Sequence, residues 1–309
     1  MSWNSFGRKG FGGLNSPFLT DLRATRKRGE TSRYDRSIDP LAWLTAPCVM
    51  GVLNVTPDSF SDGGAFLDPE AALKRLAQIA ADGAVICDVG AESTRPGADP
   101  VPADEQLRRL DPVFAAVASG CGIAISIDTA SATVARAALD AGAVVINDVT
   151  AGRGDPDLLP LAAERGAAVC VVHMKGEPRT MQQAPAYEDV TGEVITFLEE
   201  RMSAAIAAGV PERHILLDPG IGFGKRLEDN LTLLREIPRL AALGRPLVIG
   251  VSRKSMFGQL LGREVDERMA GSVAAGLLAV DAGAAVLRVH DIRETADAIG
   301  VWRAVRRPE

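Results

Sequence analysis

No apolar run in this chain comes near the roughly 20 residues that a membrane span requires, and its start lacks the apolar core of a secretory signal. Neither insertion into a membrane nor export is expected. Cysteine is sparse: four residues, Cys48, Cys87, Cys121 and Cys170, lie far apart, with no C-x-x-C pair among them. That argues against a zinc site or a disulfide framework and reads instead as small buried hydrophobes in a reducing cytoplasm. No G-x-G-x-x-G follows the first apolar run, which counts against a dinucleotide-binding open sheet. Beyond the tail acidic charge outweighs basic. Residues 1–40 hold eight Lys/Arg against four Asp/Glu, a net +4 that leaves -10 for the rest of a chain whose total is -6. An acidic body is a poor nucleic-acid surface. The tail itself, with FGRKGFGGLNSP and RKRGETSRYDR, has no clear period. It reads as a disordered extension, with a transit peptide or an arm for an anionic partner as alternatives.

What the chain does have is a repeated unit. Eight apolar, β-branched runs each end on polar residues: Val49–Asn54, Ala84–Gly90, Ile123–Asp128, Val144–Asp148, Ala167–His173, Ile215–Asp218, Leu247–Ser252 and Ala285–His290. Helical spacing separates them, as in Pro69–Ala81, Asp104–Ala118 and Ser131–Ala141. Strands that are apolar almost throughout indicate a sheet covered on both faces. The expected fold is α/β, a single-domain (β/α)8 TIM barrel over residues 45–309 behind a basic, Gly-rich extension over 1–44. In such a barrel the C-terminal strand ends meet at one mouth, so residues far apart in sequence share a pocket. A doubly wound open sheet is the alternative.

The helices share a stop signal. Asp82-Gly83-Ala84, Ala141-Gly142-Ala143, Arg165-Gly166-Ala167, Ala208-Gly209-Val210 and Ala282-Gly283-Ala284 each place glycine where a helix should end. A left-handed residue there closes the helix at low steric cost. These short turns contrast with longer loops after the strands, the layout expected when function occupies one face.

One segment is especially specific: Gly51-Val-Leu-Asn54-Val-Thr-Pro-Asp58-Ser-Phe60-Ser-Asp62-Gly-Gly64. It resembles the first signature of the dihydropteroate synthases, pterin-binding enzymes of folate biosynthesis. Similar signatures follow in the family's order: DVGAESTRPGA (Asp88–Ala98), SIDT (Ser126–Thr129), NDV (Asn147–Val149), HMKGEPRTMQ (His173–Gln182), DPGIGFGK (Asp218–Lys225), GVSRKS (Gly250–Ser255) and RVHD (Arg288–Asp291). The resemblance covers about residues 47–305.

The resemblance implies displacement of diphosphate from a 7,8-dihydropterin methyl group by the amine of p-aminobenzoate, giving 7,8-dihydropteroate. Such a reaction needs a slot for a flat heterocycle, a cationic cradle for the leaving group and a gate for the second substrate. For the slot, Asp128, Asn147, Asp218 and Lys254 supply acceptors, an amide and a cation; a carboxylate facing an amino and ring N–H edge forms a strong two-point pair. The family's pterin contacts fall on these residues and on Met174, Phe223 and Gly250. Asp128 and Asp218 also lead towards helices, so helix N-caps are the alternative for both. For the cradle, Arg288 offers a planar fork to phosphate oxygens, and His290, two residues along the same strand, points to the same side. Asn54 resembles the family's Mg²⁺ contact, and Mg²⁺ needs few protein ligands where phosphates are present. For the gate, residues 55–65 and 91–99 are polar and Gly/Pro-rich, with Phe60, Thr94, Arg95 and Pro96 matching positions that enclose p-aminobenzoate. Ser255 opens a helix whose free N–H groups suit the substrate carboxylate. Arg288, His290, Lys254 and Asp128 are the catalytic candidates, and sulfonamides are expected to compete with p-aminobenzoate. The family also implies a homodimer, with Met269–Ala284 as a candidate interface or, equally, as core.

Three other readings compete with this one. A methyltetrahydrofolate-binding methyltransferase domain needs no diphosphate cradle or arylamine gate. A silent pterin-binding homologue fits poorly with intact Asn54, Arg95, Lys254 and Arg288. A Schiff-base aldolase using Lys254 needs a depressed lysine pKa, and nothing else points to a carbonyl substrate.

Overall fold

A computed structural model describes residues 39–55, 68–93, 98–177, 180–182 and 184–306. Eight parallel strands alternate with helices: β1 (Cys48–Asn54), α1 (Pro69–Ala81), β2 (Ile86–Gly90), α2 (Ala103–Gly120), β3 (Ala124–Asp128), α3 (Ala132–Ala141), β4 (Val145–Asp148), α4 (Leu158–Arg165), β5 (Ala168–Val172), α5 (Val190–Ala207) and β6 (Ile215–Asp218). Then come α6 (Leu227–Arg235), α7 (Ile237–Ala241), β7 (Val248–Ile249), α8 (Ser255–Leu261), α9 (Met269–Asp281), β8 (Val286–Val289) and α10 (Ile292–Arg306). The strand order is β6-β5-β4-β3-β2-β1-β8-β7, and a parallel bridge between Leu217 and Leu247 joins the two ends. The sheet is therefore a barrel, as expected, and not an open doubly wound sheet.

Side-chain alternation decides which residues see the mouth. Outward positions such as Val49, Leu53, Val89, Ile127, Val169 and Leu287 join the large apolar cluster under the helices. Inward positions are buried as well: Met50, Val52, Ile86, Ala124, Val145 and Leu216 fill the barrel. Asn54, Asp88, Asp128, Asn147, Asp218, Gly250 and Arg288 share the inward phase of their strands. Eight strands can thus deliver polar side chains to one place without interrupting the apolar layer behind them.

All five helix-stop glycines have positive φ, from +63° at Gly166 to +120° at Gly142. In each case the next residue's N–H donates back five positions, as Ala84 does to Ile79 O (3.2 Å) and Ala284 to Ala279 O (2.9 Å). That is the hydrogen bond of a Schellman stop. Helix starts are as local: Asp68 accepts the Ala71 N–H ahead of α1, and Ser131 accepts that of Val134 ahead of α3.

Three strand ends differ from expectation, the eighth by stopping at Val289, one residue short of His290. The seventh strand was expected to reach Ser252 but leaves the ladder after Ile249. There the side chain takes over from the backbone, since Ser252 Oγ accepts the His290 N–H at 3.1 Å, and Arg253 turns left-handed at φ +57°. The fifth strand stops at Val172, one residue short of His173, whose N–H donates to Asp218 O at 2.9 Å. Residues 39–44, assigned above to the extension, form a turn in which Leu41 and Trp43 are buried. Residues 1–38 of that extension lie outside the described residues. The cysteines are free thiols, three of them buried, and no helix among the described residues is long and apolar enough to cross a membrane.

Candidate active site

Four strands contribute to one buried ionic network. Arg288 of β8 donates through Nε to Asp88 Oδ2 (2.6 Å) and through Nη2 to Asp128 Oδ2 (2.7 Å). Asn147 of β4, the register partner of Asp128, donates through Nδ2 to the same Asp88 oxygen at 3.0 Å. One guanidinium therefore faces two carboxylates. Burial works against its charge, yet Asp88 and Asp128 hold the Arg288 pKa above the arginine range. Asp128 moves the other way from a normal carboxylate. Burial pushes it up to about 7, Arg288 pulls it down, and Asp88, Asp148 and Glu92 push it up further. The two shifts favour opposite charge states of one ion pair. The guanidinium stays charged, and Asp128 responds first to its burial and then to the neighbouring carboxylates.

On the opposite side of the mouth, Asp218 accepts the Gly220 N–H through Oδ1 at 2.7 Å. Burial raises its pKa, against that hydrogen bond and the attraction of Lys254, Arg288 and Lys225. Gly250 is the inward residue of the neighbouring strand path, and a Cβ there would stand 3.9 Å from Asp218 Oδ2. A glycine at this point leaves the carboxylate uncovered. Lys254 is half-buried, with Nζ 4.2 Å from the centre of the Phe223 ring. Burial lowers its pKa to about 8, against the pull of Asp218 and Asp128. Asp128, Asp218 and Arg288 take inward positions near their strand ends, and the charges of all three act on Lys254. Neither aspartate is a helix cap, because α3 is capped by Ser131 and α6 begins after Arg226.

Phe223 and Met174 are held by a buried lysine that sequence reasoning missed. Lys225 is 3 % exposed, and its ammonium meets three acceptors: His173 Nδ1 (2.8 Å), Gly220 O (2.9 Å) and Phe223 O (3.1 Å). An ammonium has three donors, so the set is complete. Burial lowers the Lys225 pKa to about 7, and burial together with Lys225 lowers that of His173 to about 2. The imidazole is neutral and offers Nδ1 as acceptor, which assigns its proton to Nε2. The lysine thus ties the loop after β6 to the end of β5. Met174, next to His173, is buried, and its carbonyl accepts from Arg153 at 3.4 Å. In sequence, Lys225 is merely a lysine beside a glycine-rich loop, and that setting suggests solvent.

His290 follows β8 in the same inward phase as Arg288. Its N–H and its Nδ1 both meet Ser252 Oγ at 3.1 Å, so Ser252 is a second support that the motif alone did not reveal. Asn54 ends β1 half-buried, opposite Gly90 in the ladder. Asp88 was legible as one of the polar strand-end residues of the site; its partners Arg288 and Asn147 were not. Ser255 is exposed at the first position of α8. Phe60, Thr94, Arg95 and Pro96 lie outside the described residues. The stems of the 94–97 segment are nonetheless anchored: Glu92 accepts Val101 N–H (3.0 Å) and Gln106 Nε2 (3.1 Å), and Arg109 donates to Ala91 O (2.9 Å).

Residues 50–290 match the family model described as pterin binding enzyme. The chain is 47% identical over 266 residues to the dihydropteroate synthase of Neisseria meningitidis serogroup C, an alignment spanning 85% of this chain and 94% of that protein. Among solved structures, it resembles a Xanthomonas albilineans dihydropteroate synthase with 4-aminobenzoic acid, at 49% identity and a TM-score of 0.80, covering 86% of this chain and 95% of that one. The same enzyme in complex with 7,8-dihydropteroate matches at 46% identity and a TM-score of 0.76, over 86% and 96% of the two chains.

Proposed function

Because the chain belongs to the pterin-binding enzyme family, among its dihydropteroate synthases, we propose that its mouth divides the reaction among a ring slot, a leaving-group cradle and an arylamine gate. The chain is a transferase of folate biosynthesis that condenses (7,8-dihydropterin-6-yl)methyl diphosphate with p-aminobenzoate, giving 7,8-dihydropteroate and diphosphate. The observation that carries the division of labour is the hydrogen-bonded network at the inward positions of the strands, in which Arg288 holds Asp88 and Asp128 and Asn147 joins Asp88.

Asp128, Asn147 and Asp218 accept from the amino and ring N–H groups of the pterin, while Lys254 donates to its carbonyl or a ring nitrogen. Phe223, Met174 and Gly250 bound the ring. The methylene–oxygen bond to diphosphate breaks as positive charge develops on the pterin, and two carboxylates beside that ring favour the charge. Arg288 and His290 receive the negative charge of the departing diphosphate. The amine of p-aminobenzoate then forms the new C–N bond and afterwards loses its proton to solvent; an arylamine is a weak base, unprotonated at neutral pH, so it needs no general base to attack. Phe60, Thr94, Arg95, Pro96 and Ser255 enclose this second substrate.

Mg²⁺ is the cofactor we infer. Among the described residues no three His, Cys, Asp or Glu side chains gather into a metal cage. Asn54 offers one neutral oxygen at the rim, which suits an ion that keeps its waters and takes phosphate oxygens. When bound, the ion supplies further positive charge at the leaving group. A direct assay reads both claims: purified protein with the two substrates and Mg²⁺ should yield dihydropteroate, and excess chelator should abolish it. Full turnover in chelator would remove the metal from the scheme.

The charge states impose a pH profile. Asp128 must be ionised to accept, and its raised pKa of about 7 puts that loss on the acid side. Lys254 must be protonated to donate, and its lowered pKa of about 8 puts its loss on the alkaline side. A plot of kcat/KM against pH should be bell-shaped and narrow, with its acid limb above the ordinary carboxylate range. A plateau extending down to pH 5 would contradict the role given to Asp128.

The protein is also proposed to work as a homodimer in the cytoplasm, where free thiols persist. Leu278 of α9 and Val301 and Val305 of α10 are 73%, 65% and 76% exposed, on helices that pack side by side. Leu278→Glu should then shift the sedimentation of the protein from dimer to monomer.

A further inference from the structure

We propose that Asp88 is the positioning residue of this site: it fixes the working orientations of Arg288 and Asn147 without touching substrate. The inference rests on the reading of Arg288 as the leaving-group cation. Asp88 is an inward residue of β2 with no exposure to solvent. It stands in register with Val52 and Ser126, one inward step below Gly90. Gly90 has no side chain to cover it, and a Cβ there would lie 3.3 Å from Asp128 Cβ. A single carboxylate oxygen, Asp88 Oδ2, accepts both Arg288 Nε and Asn147 Nδ2.

Two consequences follow from that oxygen. A carboxylate only accepts, so the Asn147 amide must turn its nitrogen towards Asp88. Its own oxygen is then left for a donor in the slot. Arg288, for its part, commits Nε and one Nη2 proton to the two carboxylates, which leaves Nη1 and the second Nη2 proton for an anion. Asp128 is the other anchor of Arg288, but in the proposed reading it also receives the pterin. When a ring draws on Asp128, Asp88 is the anchor of the guanidinium that the ring does not share. It thereby couples the ring slot to the diphosphate cradle.

The test compares Asp88→Ala and Asp88→Asn, each alone and combined with Arg288→Met. Turnover is measured together with the affinity for a diphosphate-free dihydropterin. Asp88→Ala should lower kcat by about 100-fold, the size expected when a reacting group is misplaced by an ångström. Affinity for the diphosphate-free pterin should fall by less than about tenfold, and Asp88→Asn, which keeps an accepting oxygen, should regain much of the lost turnover. In the Arg288→Met background, Asp88→Ala should change kcat by less than about threefold, because the Arg288 route is already lost and the Asn147 route is read in pterin affinity, not in turnover. The same loss in both backgrounds, or unaltered kcat in Asp88→Ala, would overturn the proposal. If Asp88→Ala alone does not fold, the Arg288→Met background still decides, since removing a buried carboxylate without a counter-charge should stabilise that protein; a further fall in kcat there overturns the proposal. Full turnover in Arg288→Met alone would instead refute the role of Arg288, a result separate from any loss specific to Asp88.

Discussion

Arg288→Met should lower kcat by about 1,000-fold, the upper range for removing one preorganised donor from a developing negative charge. Binding of a dihydropterin without diphosphate should weaken far less, because the ring contacts lie on Asp128, Asn147, Asp218 and Lys254. The same substitution has a signature in stability. It leaves Asp88 and Asp128 buried with no guanidinium between them, and breaking a buried pair from one side typically costs about 3–5 kcal/mol. Asp128 can relieve part of this by taking up a proton, for its pKa already stands at about 7 with the arginine present. A carboxyl whose folded pKa lies above its unfolded value holds more protons when folded, so stability rises as pH falls through the folded pKa. Arg288→Met should accordingly unfold at a higher temperature at pH 6 than at pH 8. Equal losses of turnover and of diphosphate-free pterin binding would remove Arg288 from the cradle.

Gly220→Ala should be the most disruptive change of a single methyl group. Gly220 sits at φ +68°, and a Cβ there would lie 1.8 Å from the His173 carbonyl oxygen and 2.9 Å from its carbonyl carbon. Both obstacles are backbone atoms, so no rotamer relieves the overlap. The loop after β6 would have to move, and three contacts move with it: the Gly220 N–H on Asp218, the Gly220 carbonyl on Lys225, and Phe223. A loss of at least about 3 kcal/mol of stability is expected, within the range that strain at a special backbone position produces, and pterin binding should fall with it. Gly244→Ala provides the control. It has φ +75° but nothing within 4 Å of its added Cβ, so only the left-handed conformation is penalised, at about 1 kcal/mol. If the two variants melted together, the close approach to His173 would not be what matters.

Much of this architecture can be read from the chain because it is local or periodic. Except at the end of the seventh strand, the β-branched runs place their strands to within a residue or two, and the five helix-stop glycines all adopt the positive-φ conformation their spacing suggests. Asp128, Asn147 and Asp218 were legible as a group because each stands at or next to the end of a strand in the inward phase, and a barrel sends all such positions to one mouth. The supporting residues were less accessible. Asp88 and Arg288 are 200 positions apart and Lys225 and His173 are 52 apart; no period or turn rule links them. Lys225 has a composition that suggests solvent, and only the fold shows its three acceptors. The early end of β7 was hidden for a related reason, since Ser252 replaces a backbone acceptor with a side chain. Hydropathy does not register such an exchange. The residues expected to enclose p-aminobenzoate, Phe60, Thr94, Arg95 and Pro96, lie outside the described residues, so the gate rests on the family resemblance.

The central claim is that side chains from β3, β4, β6 and the segment after β7 grip one pterin ring together. A crystal structure of this protein with 7,8-dihydropteroate tests it most directly. The bicyclic ring should lie within about 3.2 Å of polar atoms of Asp128, Asn147, Asp218 and Lys254 at once, with Arg288 facing the mouth beside it. A ring bound elsewhere, or one reached by only a single member of that set, would contradict the account.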